Sequence, residues 1–394
     1  MNARRILLEL FDAALRAVDG RTSVERCVRA ANLSGPVEVI AVGKAATAMA
    51  HGARAALGAQ LERVLIITKE GHRDPAFDEF PSVLQLESPH PVPDIRSLSH
   101  GHELEDRVRT LRDDVLPLFL ISGGSSSLVE ALRDGVSLND LLALNVHGLA
   151  CGWDIKTFNA ERVRLSRIKG GGIARLLNGR RALALFISDV PRDDPDVIGS
   201  GLLGQDSGQG DSIERHVVAN VEDAVTAVLD SARAHGVHLE RLPGRFDGDA
   251  VEVAAEFLAR LRRCEGDGLV WGGESTVVLP PRYGRGGRNT HLALSVARQI
   301  RATEPWLLLS AGTDGTDGTS GDAGAIVDSG TIERAEIAGC DVERAWREFD
   351  SGTALEASED LVHTGPTGTN VGDILISIKL TATSLRGQHP PRML

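Results

Sequence analysis

One unit recurs along this chain: a short run of β-branched and other apolar residues, then a loop of Gly, Ser, Thr or Asp, then a stretch of helical periodicity. It appears in VEVIAVGKAATAMA from Val37, RVLIITKEGH from Arg63, LPLFLISGGSSSLVEAL from Leu116 and RALALFISDVPRDD from Arg181. Runs that are apolar without alternation belong to strands buried on both faces, as in a parallel sheet covered by helices. Ligands of such sheets collect beyond the carboxyl ends of the strands, so chemistry is expected in the loops after these runs.

The habit resumes in GLVWGGESTVVLP from Gly268, WLLLSAGTDGTDGTSGDAGAIVD from Trp306 and VGDILISIKL from Val371. A chain of 394 residues exceeds one ordinary core, which favours two domains of about 150 to 200 residues each. Between about Gln205 and Gly244 the sequence turns polar and glycine-rich around IERHVVANVEDAVTAVLDSARAHG, which reads as helical, and the boundary is placed near residue 240. The predicted fold is α/β in two domains. Residues 1–240 form a doubly wound, mostly parallel, Rossmann-like sheet, residues 241–383 a second α/β domain, and residues 384–394 a flexible tail. The active-site cleft is expected between the domains.

The formal charge of -12, from 43 basic and 55 acidic residues, argues against nucleic acid or an anionic membrane as partner. Cys27, Cys151, Cys264 and Cys340 form no CxxC pair, so neither a zinc ribbon nor a disulfide framework is predicted, and the thiols fit a reducing cytoplasm. Glu9, Asp12 and Arg16 interrupt the apolar residues of Ile6 to Val18 at helical spacing, which makes that segment an amphipathic helix and not a signal peptide. No stretch reaches the roughly 18 apolar residues of a membrane span. A soluble cytoplasmic protein is expected, and a homodimer is compatible with it.

Several loops carry chemistry-bearing residues. In SGGSSS from Ser122, Gly123, Gly124 and Ser125 lie between a strand and a helical stretch, where converging N–H groups can hold a phosphate. In SRIKGGGIARLL from Ser166, Lys169 adds charge to a glycine nest that begins at Gly170. Lys44 stands at a strand end before a helix, a position opposed by the macrodipole and better explained by an anion. Asp189 closes an apolar run, where a carboxylate can ligate Mg²⁺ or accept a hydroxyl proton. Arg285 and Arg288 sit among glycines in YGRGGRN, as guanidinium groups able to clamp a carboxylate or a phosphoryl group. Asp314 and Asp317, in the acidic loop after Gly312, are candidates for holding a cation. There is no GxxxxGK[ST], HExxH or GxSxG, and the first strand's turn reads AVGKAA and not GxGxxG. P-loop kinase, metalloprotease, hydrolase and dinucleotide readings lose their usual support.

In order along the chain, AVGKAA at Ala41, HPVPD at His90, SGGSSSL at Ser122, FNAERVRLSRIKGG at Phe158, SDVPRDDPDVIGSG at Ser188, GGESTV at Gly272, GRGGRN at Gly284, TDGTDG at Thr313 and TGPTGTNVGD at Thr364 resemble the glycerate 2-kinase family, whose second half is the MOFRL domain. The resemblance implies two α/β domains around a cleft and phosphorylation of D-glycerate at its 2-hydroxyl with ATP and Mg²⁺. It places the catalytic roles on Lys44, Asp189 and Arg288. Loop geometry assigns phosphate binding to Gly123, Gly124, Ser125, Lys169 and Gly170. Asn159, Arg162 and Asn289 are further polar candidates for substrate binding, and Asp189 with Asp314 for the metal.

The chain departs from the family pattern at Ser125 and Ser127, where the family has Gly and Ala. It departs again at Gly172, where an Arg is usual and Arg175 stands one turn on, and at Gly372, where Asn is usual. A changed hydroxy-acid acceptor is compatible with these. Two other readings stay open: an NAD(P)H-dependent hydroxypyruvate reductase, and a non-catalytic protein that binds a nucleotide or sugar acid.

Overall fold

A computed structural model describes residues 3–151, 155–205, 212–318 and 320–380. The chain divides into two compact units, one made of Asp19–Asn220 with Gly368–Val371, the other of the residues up to Val18, Val221–Thr367 and those from Gly372 on.

The first unit is built on a six-stranded sheet of β1 (Val37–Val42), β2 (Leu61–Lys69), β3 (Val83–Ser88), β4 (Leu116–Ile121), β5 (Ala182–Ile187) and β6 (Ile213–Ala219), in the order β3-β2-β1-β4-β5-β6. All its pairings are parallel. Every residue of β1 and β5 is buried, as their unbroken apolar runs predict. One face packs Ile40, Val42, Phe119, Ile121 and Phe186 against Leu104 and Val108 of the helix Ile95–Arg109. On the other, the helices Gly20–Ala31 and Ala46–Leu57 pack together, and the second lies along β1 and β2. Strand order reverses between β1 and β4, so their following loops diverge and open a crevice, the usual ligand position in such sheets.

The sequence reading took Ile213 onward as helix. The structure instead makes Ile213–Ala219 the edge strand β6 and starts the helix at Val221. Alternation of half-buried and exposed residues along β6 suits an edge strand with one covered face. Its polar Glu214, Arg215 and His216 had blurred that signal.

The second unit holds a mixed sheet of β7 (Leu239–Arg241), β8 (Gly268–Gly273), β9 (Trp306–Gly312), β10 (Gly324–Val327), β11 (Leu361–Val362) and β12 (Asp373–Lys379), in the order β11-β10-β9-β12-β8-β7. Only β7 and β8 pair in parallel. The amphipathic helix Ala3–Ala17 packs on the helix Val221–Ala234 of this same unit. Arg4 also pairs with Asp360 at 2.9 Å, and His235 meets Glu9 at 2.8 Å. The division at residue 240 is therefore corrected. The first helix buries its apolar face in the second unit, and the crossing comes at Asn220. The tail placed at 384–394 lies outside the described residues. Among the described residues no helix is long and apolar enough to cross a membrane.

Candidate active site

The crevice of the first unit is lined by the loops after β1, β4 and β5. Gly43 has φ +133°, and a Cβ there would lie 2.1 Å from Ser122 Oγ, so only glycine lets the first two loops pass this closely. The loops are stitched together: Lys44 N–H donates to Gly123 O at 3.0 Å and Ala45 N–H to Ser122 Oγ at 3.0 Å. Gly43 N–H reaches Ile67 O at 3.0 Å, and Lys44 O lies 3.2 Å from His72 Nδ1. The half-buried Lys44 side chain leaves this pinned backbone beside Gly124, where an added Cβ would stand 3.0 Å from Lys44 Cγ and 3.2 Å from His90 Cδ2.

Asp189 reaches the same place from the end of β5. Asn370, 4% exposed, donates its Nδ2 to Asp189 Oδ2 at 3.0 Å. Both lie over Gly123, where a Cβ would fall 1.8 Å from Asp189 Oδ2 and 2.0 Å from Asn370 Nδ2. Lys44, the Gly123-Gly124 turn and Asp189 are thus assembled in one unit, with Asn370 fixing the carboxylate. Gly123→Ala should displace that carboxylate and lower kcat on the order of 100-fold, the scale of a misplaced reacting group. Wild-type turnover in the alanine variant would show that the carboxylate's position is immaterial.

Other predicted residues are placed differently. Ser125 Oγ is buried without a hydrogen-bond partner among the described residues, and Gly199 sits so close that a Cβ there would be 2.4 Å from it. The third loop serine therefore packs against the loop after β5. Lys169 does not face a phosphate: it is 1% exposed and paired with Glu130, itself 0% exposed. Burial pushes its pKa below the ordinary lysine value, against the attraction of Glu130. The nest at Gly170 is likewise filled, since Gly170 N–H donates to Ser200 O at 3.0 Å and Gly171 N–H to Gly201 O at 2.7 Å. Arg175, considered as a replacement charge, donates to Gly170 O at 2.9 Å. Asn159 and Arg162, on the helix Ile155–Leu165, do reach the serine loop: Arg162 Nη1 is 3.3 Å from Ser126 Oγ, and Ser200 Oγ donates to Asn159 Oδ1 at 3.2 Å.

In the second unit Arg288 opens the helix Arg288–Ala297. It grips Asp373 through Nε at 2.7 Å and Nη2 at 2.9 Å, and pairs with Glu274 through Nη1. Burial opposes its charge, but Asp373 and then Glu274 outweigh that and hold its pKa well above the ordinary value. The arginine expected to clamp a ligand is thus already committed to two carboxylates. Asn289 is 1% exposed and accepts from Ser310 Oγ at 2.9 Å, a structural position and not a substrate-facing one. Asp317 caps the same helix, accepting Asn289 N–H at 2.9 Å and Thr290 N–H at 2.7 Å. Arg285 pairs with Asp322 and Glu356. Asp314 is 6% exposed, accepts Thr316 N–H at 3.0 Å and lies in the field of Arg288. Among the described residues no group of three or more His, Cys, Asp or Glu could hold a metal. Asp314 adds to the negative charge around Arg288.

Asn370, Asp373, Glu274, His90 and Glu130 were not among the predicted site residues. Four of them lie in quoted motifs, TGPTGTNVGD, GGESTV and HPVPD, and for Asp373 and Glu274 a Gly-Asp or Gly-Glu at a strand end was the available signal. Glu130 had none.

Comparison with known proteins matches residues 6–230 to a domain of unknown function, DUF4147, and residues 268–373 to the MOFRL family. The chain is 33% identical to a protein of Thermotoga maritima named D-glycerate 2-kinase, over 95% of this chain and 98% of that one. It is 34% identical to an Agrobacterium vitis protein named putative hydroxypyruvate reductase, over 86% of this chain and 98% of that one. The crystal structure of glycerate kinase from Thermotoga maritima is similar with a TM-score of 0.81 at 32% identity, covering 95% of this chain and 99% of that one.

Proposed function

The chain belongs to the glycerate kinase family, which joins a DUF4147 domain to a MOFRL domain, and on that premise we propose that it transfers the γ-phosphate of ATP to the 2-hydroxyl of D-glycerate. The observation that carries this reading is the convergence of Lys44 and Asp189 on the Gly123-Gly124 turn, with Asn370 on Asp189 Oδ2. Phosphoryl transfer asks the protein for position and charge more than for covalent chemistry. Asp189, oriented by Asn370, accepts the proton of the attacking hydroxyl. Lys44 meets the charge that develops on the transferring group. Mg²⁺ held with the nucleotide supplies further charge neutralisation. It needs only one or two protein carboxylates beside phosphates and water, and Asp189 fits that donor set. A cytoplasmic location, where ATP is available, goes with this reading.

The reductase name of the Agrobacterium relative points to a dinucleotide, which would set its pyrophosphate on the N–H groups of the turn after β1. In this chain those of Gly43, Lys44 and Ala45 are occupied by Ile67 O, Gly123 O and Ser122 Oγ. The deciding assay incubates the full chain with ATP, MgCl₂ and D-glycerate, follows ADP and identifies the product by phosphorus NMR. ADP release with 2-phosphoglycerate is expected, falling by roughly 10²- to 10⁴-fold in Asp189→Asn, as for loss of a general base. NADH oxidation by hydroxypyruvate without ADP release would replace the kinase with a reductase. Tight ADP binding without turnover would make the chain a binding protein.

A further inference from the structure

Arg162 is a half-buried cation that has no counter-charge among the described residues. Its Nε and Nη2 both donate to Asn145 Oδ1, at 3.2 and 3.0 Å, and its Nη1 to Ser126 Oγ at 3.3 Å. The Phe158 ring lies 4.3 Å from its Cζ. These partners are neutral, and among the described residues no carboxylate stands within ion-pair distance of it. The acid whose charge acts on the guanidinium is Glu130, which is already paired with Lys169. That pair sums to zero whether it is ionised or neutral, so among the described residues the single positive charge of Arg162 is unmatched. Burial lowers its pKa, against the pull of Glu130. A desolvated charge without a partner is costly, and a protein retains one where a ligand supplies the partner.

The donor geometry identifies that partner. A guanidinium carries five N–H groups in a planar fork, and the contacts above use one on Nε, one on Nη2 and one on Nη1. One N–H on each Nη remains, a pair suited to a two-oxygen anion. Hydroxyl groups flank the fork: Ser126 Oγ meets Ser200 Oγ, and Ser200 Oγ reaches Asn159. Ser126 is three residues beyond Gly123, over which Asp189 lies.

We propose that Arg162, steadied by Asn145 and Phe158, binds the carboxylate of the acceptor and is the residue that selects a hydroxy acid over a neutral polyol. The proposal rests on the kinase reading for the identity of the acceptor. It places the carboxylate beside Ser126 and leaves the adjacent hydroxyl toward Asp189 and Lys44.

The test compares D-glycerate with its neutral amide, glyceramide, as acceptors for the full chain with ATP and Mg²⁺. In Arg162→Gln the KM for D-glycerate should rise on the order of 100-fold, the worth of charge-assisted hydrogen bonds. The KM for ATP and the turnover of glyceramide should stay as in the wild type. A rise confined to the KM for ATP would reassign the fork to a nucleotide phosphate. An equal loss for both acceptors would reduce Arg162 to a packing residue. If the Gln variant does not fold, Arg162→Lys reads the same contrast: charge without a fork should raise the KM for D-glycerate about tenfold, and an unchanged KM would overturn the proposal. Calorimetric titration with D-glycerate separates this idea from the kinase reading. Arg162-dependent binding without turnover would keep the carboxylate site and remove the kinase. Turnover indifferent to Arg162 would do the reverse, and a wild-type chain that binds no D-glycerate would overturn the site.

Discussion

Lys44→Ala should lower kcat for D-glycerate phosphorylation by roughly 10²- to 10³-fold, the cost of removing one preorganised group that meets developing negative charge. The loop itself should survive the change, because its backbone is held by Gly123 O, Ser122 Oγ and Ile67 O and not by the lysine side chain. The thermal midpoint should therefore stay near the wild-type value while turnover collapses. Steady-state kinetics beside a melting curve make the check. A variant whose kcat falls only in proportion to lost stability would remove Lys44 from the transition state.

Lys169→Met should act in the opposite way, through stability. The lysine and Glu130 are both shut away from solvent. Deleting one partner strands the other's charge in a medium that solvates it poorly, at a cost of about 3 to 5 kcal/mol. Denaturant unfolding should show that loss, and adding Glu130→Gln should recover most of it, because the amide oxygen can still accept the Ala131 N–H that Glu130 Oε1 takes at 3.0 Å. If Lys169 were instead a phosphate ligand, the single variant would unfold like the wild type and show its defect in the KM for ATP.

The central strands were legible because burial on both faces demands an uninterrupted apolar run, and β1, β2, β4 and β5 carry one. The edges were less so. In β3, Gln85 and Glu87 alternate with Leu84 and Leu86, and in β6 three consecutive polar residues follow Ile213, because an edge strand with one wet face has no need of a continuous run. In the site, Lys44, Gly123 and Asp189 could be picked out since each ends such a run, and strand ends are where the sheet delivers side chains to a ligand.

Lys169 and Arg162 show where sequence reading stops. Both are basic residues near glycines or serines, and chemical type alone suggests an anion for each. Folding gave Lys169 its counter-charge from Glu130, 39 residues away, and gave Arg162, among the described residues, amide, hydroxyl and aromatic partners but no carboxylate. In the same way Asn370 acquired its role by arriving at Asp189 across 181 residues. The sequence by itself determined the α/β class, the central strands and the loops able to carry chemistry, since those follow from local periodicity and residue type. Only the tertiary structure decided which charges are neutralised inside the protein and which are left for a ligand, because that depends on what else is buried within a few ångströms, and distance along the chain does not encode it.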